Sequence, residues 1–96
     1  MAKLKYLNSV SQWKHKQISQ YPEIKVFIEK LEKMIEEKPE KGLKDTMLSK
    51  KGILPYYRQS VNISLFSQRH AIGYSFITAF YIYNQIDTAI IKMSYY

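Results

Sequence analysis

Three short segments of this chain carry side chains that could hold a phosphate or move a proton. Arg58 follows two tyrosines, and its planar guanidinium is suited to grip a phosphate through paired hydrogen bonds. His70 follows Arg69, and histidine is the natural acid–base group near neutral pH. Tyr95 and Tyr96 could stack on a base or orient a ribose hydroxyl. Each segment also has a structural alternative: an ion pair with a glutamate, simple solvation, or packing of Tyr95 in a sheet.

The positive charge of the chain is unevenly distributed. The formal net charge is +7, and residues 1–19 carry four lysines and no acid. Residues 44–70 carry five basic residues against one aspartate, and they include Lys50 and Lys51 next to Gly52. Two basic segments are typical of a surface that faces a polyanion or an acidic protein. The alternative is ordinary solubilising charge.

The composition narrows the class of protein. The absence of cysteine excludes a disulfide scaffold and a cysteine-rich zinc site, and it fits a reducing cytoplasm. His15 and His70 have no acidic or cysteine companions at metal-ligand spacing, so we predict no metal site and no cofactor. No segment resembles a signal peptide, and no apolar run is long enough to span a membrane as a helix. We expect a cytoplasmic protein with no membrane partner.

Two helices are predicted in the first half. Residues 9–20 follow helical spacing, and Pro22 interrupts them. The second helix has an apolar face with i, i+3, i+4, i+7 spacing and a charged opposite face. That helix ends at Pro39, with Gly42 close behind. The apolar face consists of Ile24, Phe27, Ile28, Leu31, Met34 and Ile35.

The second half is predicted to be strands. Residues 53–66 alternate with period two, which predicts a strand with Val61, Ile63 and Leu65 on one face, and residues 67–70 are expected to form a polar hairpin connection. Residues 71–83 carry no charge and are largely apolar at both alternating sets of positions, with many β-branched and aromatic residues, which predicts a central strand buried on both faces or nearly so. A turn is expected at residues 84–87. A last strand is expected at residues 88–95, with Ala89, Ile91, Met93 and Tyr95 on one face.

These elements define an α+β fold in one domain, residues 1–96. Residues 2–7 form a possible first strand, and residues 43–52 are expected to be a basic loop. The predicted order is (β)ααβββ, with a helical hairpin packed on one face of a small, mainly antiparallel sheet. The opposite face carries many tyrosines and is a candidate working surface.

The chain resembles the RelE/ParE superfamily of type II toxin–antitoxin toxins. The resemblance runs through nearly the whole chain, from a strand entering a helix to a final apolar strand that contains one lysine. The motifs that carry it are Pro39 with Gly42, Tyr56-Tyr57-Arg58, Gly73-Tyr74, and Ala89-Ile90-Ile91-Lys92-Met93.

The resemblance implies two activities and one protein partner. RelE-type members are endoribonucleases that cut messenger RNA on the ribosome, which implies a metal-independent enzyme. ParE-type members share the fold, lack the nuclease residues and poison DNA gyrase. Both types are held inactive by a cognate antitoxin. A non-toxic basic module that binds RNA or protein through the same fold is the third alternative.

Our candidate site residues combine these arguments. Cleavage through the RNA 2′-OH needs a proton acceptor, cations that stabilise the phosphorane, and a proton donor for the leaving oxygen. Two cations common in RelE-type nucleases are not matched, because Ser75 follows Tyr74 and because Ser94, Tyr95 and Tyr96 follow the last apolar residues. The candidate catalytic residues are Arg58, Arg69, His70 and Tyr96. The candidate RNA-binding residues are Lys50, Lys51, Lys92 and Tyr95.

Overall fold

The part of the chain that the structure describes forms an α+β fold with three α-helices and a five-stranded mixed sheet, as the sequence predicts at the level of fold class. A computed structural model describes residues 3–49 and 52–96. The elements are β1 (Lys3–Tyr6), α1 (Asn8–Gln20), α2 (Ile24–Glu37), a 3₁₀ turn (Pro39–Lys41), β2 (Leu43–Ser49), β3 (Gly52–Asn62), α3 (Ser64–His70), β4 (Phe76–Tyr83) and β5 (Asp87–Tyr95).

The sheet has the strand order β1-β5-β4-β3-β2. The first strand lies parallel to the last, and the other three pairings are antiparallel. The predicted central strand is confirmed in its place, since β4 lies in the middle of the order. It begins later than expected, at Phe76, because Ala71 and Gly73 have φ values of 52° and 78°, outside the range of regular extended backbone.

The helical hairpin covers one face of this sheet. The predicted apolar face of α2 is confirmed: Ile24, Ile28, Leu31 and Ile35 are fully buried. They pack against inward side chains of β3, β4 and β5, among them Val61, Ile77, Ala79, Tyr81, Ile90 and Met93. Burial of each large aliphatic side chain contributes roughly 1.5–3 kcal/mol, so this contact provides much of the stability of the fold.

The sequence-based prediction for residues 53–70 is wrong in its second half. The strand ends at Asn62, and Ser64–His70 is a helix rather than the end of a strand and a hairpin connection. Leu65 was expected to continue the buried alternation with Val61 and Ile63, yet it is 75% exposed. Ile63 and Phe66 are fully buried at helical spacing, and the Asn62 side chain accepts a hydrogen bond from the Ser64 amide at the helix start.

Two further expectations are corrected. Residues 43–49 of the expected basic loop form β2, an edge strand paired with β3, so the observed element order is β1-α1-α2-β2-β3-α3-β4-β5. In the last strand, a register shift opposite the Phe80–Tyr81 step changes which side chains face inward. Thr88 and Ile90 are buried with Met93, instead of the predicted Ala89 and Ile91, because a bulge reverses the alternation.

Candidate functional site

The face of the sheet opposite the helices is open, and its side chains form cross-strand rows. Cross-strand partners in a sheet project from the same face, so the register of β3, β4 and β5 decides which side chains become neighbours. The rows on the open face are Asn62 with Phe76, Ser60 with Thr78 and Ser94, and Arg58 with Phe80 and Lys92.

A cleft of about 310 Å³ lies on this open face. Its floor comes from β3 and β4, where the Ser60 and Thr78 hydroxyls form a hydrogen bond of 2.7 Å. We call this the sheet cleft and define it by its lining residues: Leu43, Arg58, Ser60, Thr78, Phe80 and Tyr96. A lining with one guanidinium, three hydroxyls and two aromatic rings can hold a phosphate group and contact an adjacent base.

Two cations lie on either side of Phe80 in the cleft row. Arg58 and Lys92 pair with Phe80 from β3 and β5, so their backbones are two strand spacings apart, about 10 Å. The Lys92 ammonium lies 5.7 Å from the centre of the Phe80 ring. Both cationic side chains are exposed, and a diester phosphate above Phe80 would have positive charge on two sides.

Tyr96 lies over the cleft from the end of β5. Its ring meets Phe80 edge-on, with ring centres 5.9 Å apart, and the residue is 48% exposed. A hydrogen bond from Ser94 lowers the pKa of the Tyr96 phenol below its ordinary value, and a hydrogen bond and charge from Lys92 and the charge of Arg58 act in the same direction. A phenol that ionises more readily than free tyrosine is suited to exchange a proton with a substrate hydroxyl.

Arg69 and His70 do not line the sheet cleft. They occupy the last turn of α3, where Glu23 accepts an ion pair from Arg69 at 2.8 Å and lies 3.2 Å from His70 Nε2. The His70 ring packs against Phe66 and Tyr21, with ring centres 4.6 Å and 5.2 Å apart. This cluster joins α3 to the α1–α2 junction, so the alternative of simple solvation is wrong for these two side chains, and the ion pair with a glutamate that was the alternative for Arg58 is made by Arg69 instead.

Tyr95 lies on the helix side of the sheet. Its hydroxyl donates to the Gln17 side chain at 2.8 Å, and its ring packs against Trp13 with centres 5.3 Å apart. Burial raises the pKa of Tyr95 to about 12. The side chain is therefore engaged in packing, and it does not line the sheet cleft. The predicted RNA-binding residues Lys50 and Lys51 lie outside the described residues.

Arg58, Lys92 and Tyr96 are site candidates from three separate segments of the sequence, and the structure brings them together. The sequence did not predict the cleft floor, formed by Ser60, Thr78 and Phe80, or the contribution of Ser94. Period-two spacing was a usable signal for part of this set, because Arg58 and Ser60 alternate with the buried Val61. The register between strands was not available from any single segment.

Neither a metal site nor a membrane span is found in the part of the chain that the structure describes. Within residues 3–49 and 52–96, His, Asp and Glu side chains form no group of three or more that could hold a metal ion. No helix in those ranges is long and apolar enough to cross a bilayer. Comparisons with protein-family models, curated protein sequences and solved structures found no match for this chain.

Proposed function

We propose that this chain is a RelE-type toxin that inhibits translation by cleaving messenger RNA on the ribosome. The observation that carries the proposal is the convergence of Arg58, Lys92 and Tyr96 around one cleft on the uncovered face of the sheet. The net charge of +7 favours a polyanionic ligand. The fold class and the parallel pairing of β1 with β5 are compatible with the family resemblance in the sequence.

The chemistry assigns one role to each cleft residue. Tyr96 acts in its phenolate form, which its lowered pKa makes more accessible, and the phenolate oxygen accepts the proton of the RNA 2′-OH as the 2′-oxygen attacks the neighbouring phosphate. Arg58 and Lys92 flank the phosphate and stabilise the charge of the phosphorane. The 5′-oxygen then leaves as it takes up a proton from solvent, the Tyr96 phenol returns its proton to solvent, and the other product carries a 2′,3′-cyclic phosphate.

A base next to the bound phosphate can stack on Phe80 once the Lys92 ammonium turns from the ring to the phosphate. The ring lies on the cleft floor and is only partly buried, with the Tyr96 ring on one side and the Lys92 ammonium above it. Stacking on an aromatic side chain contributes roughly 1–3 kcal/mol per base and does not depend strongly on which base is bound. The site therefore favours a single-stranded RNA whose bases are unpaired at the cut.

The experiment is cleavage of mRNA on purified ribosomes, read by primer extension. We expect cuts at defined codon positions with the wild-type protein, and a loss of about 10²-fold or more in the cleavage rate for Tyr96→Phe and for Arg58→Gln. Lys16→Gln is the matched control, because it removes one exposed charge from α1, far from the cleft, and we expect a rate near wild type. Equal rates for Arg58→Gln and Lys16→Gln would refute the assigned site.

The second candidate is a ParE-like toxin that binds DNA gyrase without chemistry. Ser75 in place of the usual arginine favours it, as does the engagement of Arg69 and His70 by Glu23, since the described lining of the cleft then holds one cation, Arg58, and no histidine. The same protein is added to a gyrase supercoiling assay. Intact mRNA together with inhibited supercoiling selects this candidate, and activity in neither assay leaves the non-toxic binding module.

A further inference from the structure

Both polar groups of the Tyr96 main chain, the carbonyl and the amide, form hydrogen bonds. Its carbonyl oxygen accepts hydrogen bonds from the amides of Ser75 and Phe76, each 2.8 Å long, and its own amide donates to the Phe76 carbonyl at 2.8 Å. The last residue of a strand commonly frays, since few contacts restrain it. Three hydrogen bonds instead fix the backbone from which the Tyr96 side chain reaches the sheet cleft.

Ser75 connects this anchor to the rest of the sheet. Its carbonyl accepts a hydrogen bond of 2.8 Å from the amide of Ile63, a fully buried residue at the end of β3. The segment reaches this position through Gly73, whose φ of 78° suits glycine, and through Tyr74, whose amide donates to the Ser67 hydroxyl at 3.1 Å. Ser75 thus acts through its main chain, at the position where the family resemblance leads one to expect an arginine side chain.

The neighbouring residue Tyr95 is held through its side chain. Its ring is stacked on Tyr74, with planes 13° apart and centres 5.6 Å apart, and it also contacts Trp13 on α1. Its hydroxyl donates to Gln17, which is buried. Tyr74 is therefore the exposed outer ring of an aromatic cluster with Tyr95 and Trp13, and this cluster packs the end of β5 against α1.

We infer that Tyr74 is a positioning residue for Tyr96. It acts on the opposite face of the sheet from the cleft, by holding Tyr95 in the stack while the amides of Ser75 and Phe76 hold the Tyr96 carbonyl. This inference rests on the proposed role of Tyr96 in proton transfer, but the placement of Tyr96 can be measured without any substrate. No contact between Tyr74 and RNA is required.

The first test follows Tyr96 in the free protein. We compare wild type with Tyr74→Leu, which removes the aromatic ring, and with Tyr74→Phe, which keeps it. In Tyr74→Leu the amide of Tyr96 should exchange with solvent about 10-fold faster or more, because its bond to Phe76 opens more often. With ¹³C-labelled tyrosine ring carbons, the titration midpoint of the Tyr96 phenol should rise toward that of free tyrosine, because a mobile phenol keeps its hydrogen bonds to Ser94 and Lys92 for less of the time.

A matched control separates positioning from general loss of stability. Tyr83→Leu removes a partly buried tyrosine at the other end of β4, where its ring contacts Tyr57. We expect it to lower the melting temperature and to leave the exchange and titration of Tyr96 unchanged. If Tyr74→Leu behaves like Tyr83→Leu in these two measurements, the inference is overturned.

The second test uses the cleavage assay. Tyr74→Leu should lower kcat about 10-fold or more and leave KM for RNA within about twofold, because misplacing a reacting group slows the chemical step more than binding. Tyr74→Phe should keep the wild-type kcat. A wild-type protein that cleaves no RNA would overturn the proposed function, while the exchange and titration measurements would still decide the positioning.

A second variant guards against poor folding of Tyr74→Leu. Gly73→Ala keeps the Tyr74 ring but strains the backbone before it, because φ at this position is 78°. A Cβ there would meet no atom within 4 Å, so the strain comes from the backbone conformation and not from a clash. It should change the exchange and titration of Tyr96 in the same direction as Tyr74→Leu. Unchanged Tyr96 signals in both variants would rule out the anchoring segment as a positioning element.

Discussion

Gly42 lies where α2 and the sheet meet, and it has no space for a side chain. Its backbone, at φ −65° and ψ 155°, suits any residue, so the restriction is purely steric. A Cβ at this position would overlap the Tyr81 hydroxyl oxygen and would lie 2.9 Å from the Arg58 carbonyl oxygen and 3.2 Å from the Tyr57 Cβ. Tyr81 is fully buried, so it cannot swing away.

We predict that Gly42→Ala destabilises the fold by about 3 kcal/mol, at the upper end of the range for overpacked sites. The reason is that one overlapping atom belongs to the β3 backbone, which cannot move without displacing the sheet. For a domain of this size, each kcal/mol lowers the melting temperature by about 4–8 °C, so the expected decrease is roughly 15 °C. Because the displaced carbonyl belongs to Arg58, the variant should also cleave RNA more slowly.

A double-mutant cycle tests the cause of this loss. Tyr81→Phe removes the hydroxyl that donates to the Pro39 carbonyl and accepts a 3.0 Å hydrogen bond from Gln59, which should cost about 1–2 kcal/mol. It also removes the atom that Gly42→Ala meets most closely. The two losses should therefore be less than additive by about 1 kcal/mol or more.

The measurement is urea unfolding followed by the fluorescence of Trp13, the one tryptophan in the chain. Gly73→Ala is the control glycine, since a Cβ there meets no neighbour within 4 Å and its cost, about 1–2 kcal/mol, comes from φ alone. It should be additive with Tyr81→Phe within about 0.5 kcal/mol. Additivity of Gly42→Ala with Tyr81→Phe to the same tolerance would refute the steric argument.

Three further predictions concern stability. Thr88 is fully buried and its hydroxyl has no hydrogen-bond partner, so Thr88→Val should raise the free energy of unfolding by about 1 kcal/mol; a lower melting temperature than wild type would contradict this. Lys14→Met should cost about 1–3 kcal/mol because it leaves the largely buried Glu32 without its cation, whereas Lys33→Met breaks an exposed pair and should change the urea midpoint little. Burial raises the pKa of Tyr95 to about 12, above its unfolded value of about 10, so this contribution to stability is complete below pH 10 and is lost as the pH rises through 12. Tyr95→Phe should weaken that alkaline decrease in melting temperature, and an identical pH profile in the variant would count against the buried phenol as its cause.

The helix layer could be predicted because its pattern was strong and local. The apolar face of α2 repeats over several turns, so burial against a sheet was the simplest outcome. The failure at α3 has the opposite cause. Val61, Ile63 and Leu65 alternate like a strand, yet Ile63 and Phe66 are the buried pair and Leu65 is exposed. Contacts of Phe66 with Tyr21 and Phe27 favour the helix, and these contacts with distant residues could not be predicted from the pattern within the segment.

The edge strand β2 and the register shift in β5 could not be predicted from the sequence either. The described side chains of β2 from Leu43 to Thr46 are all exposed, so this part of the edge strand shows no alternation of buried and exposed residues. In β5 the register shift opposite the Phe80–Tyr81 step transfers the buried positions to Thr88 and Ile90.

The residue types of the candidate site could be predicted from the sequence, but their position on the fold could not. Arg58 and Tyr96 have the chemistry expected of a phosphate clamp and a proton carrier, and this could be argued from their side chains alone. Their meeting depends on two strand registers, and sequence periodicity does not determine a register between distant segments. Arg69 and His70 were grouped with the site because a hairpin was expected there, and the helix that replaces the hairpin brings them to Glu23 instead.

The parallel pairing of the first strand with the last has a consequence for the newly made chain. β5 is synthesised after every other strand, and it supplies Lys92, the anchor of Tyr96 and the partner of β1. While β5 is still inside the ribosomal exit tunnel, the sheet lacks the strand between β1 and β4, and the cleft lacks one wall. A chain that cuts messenger RNA would thus complete its own cleft only after β5 had been translated and had left the exit tunnel, so the order of synthesis delays the activity until then.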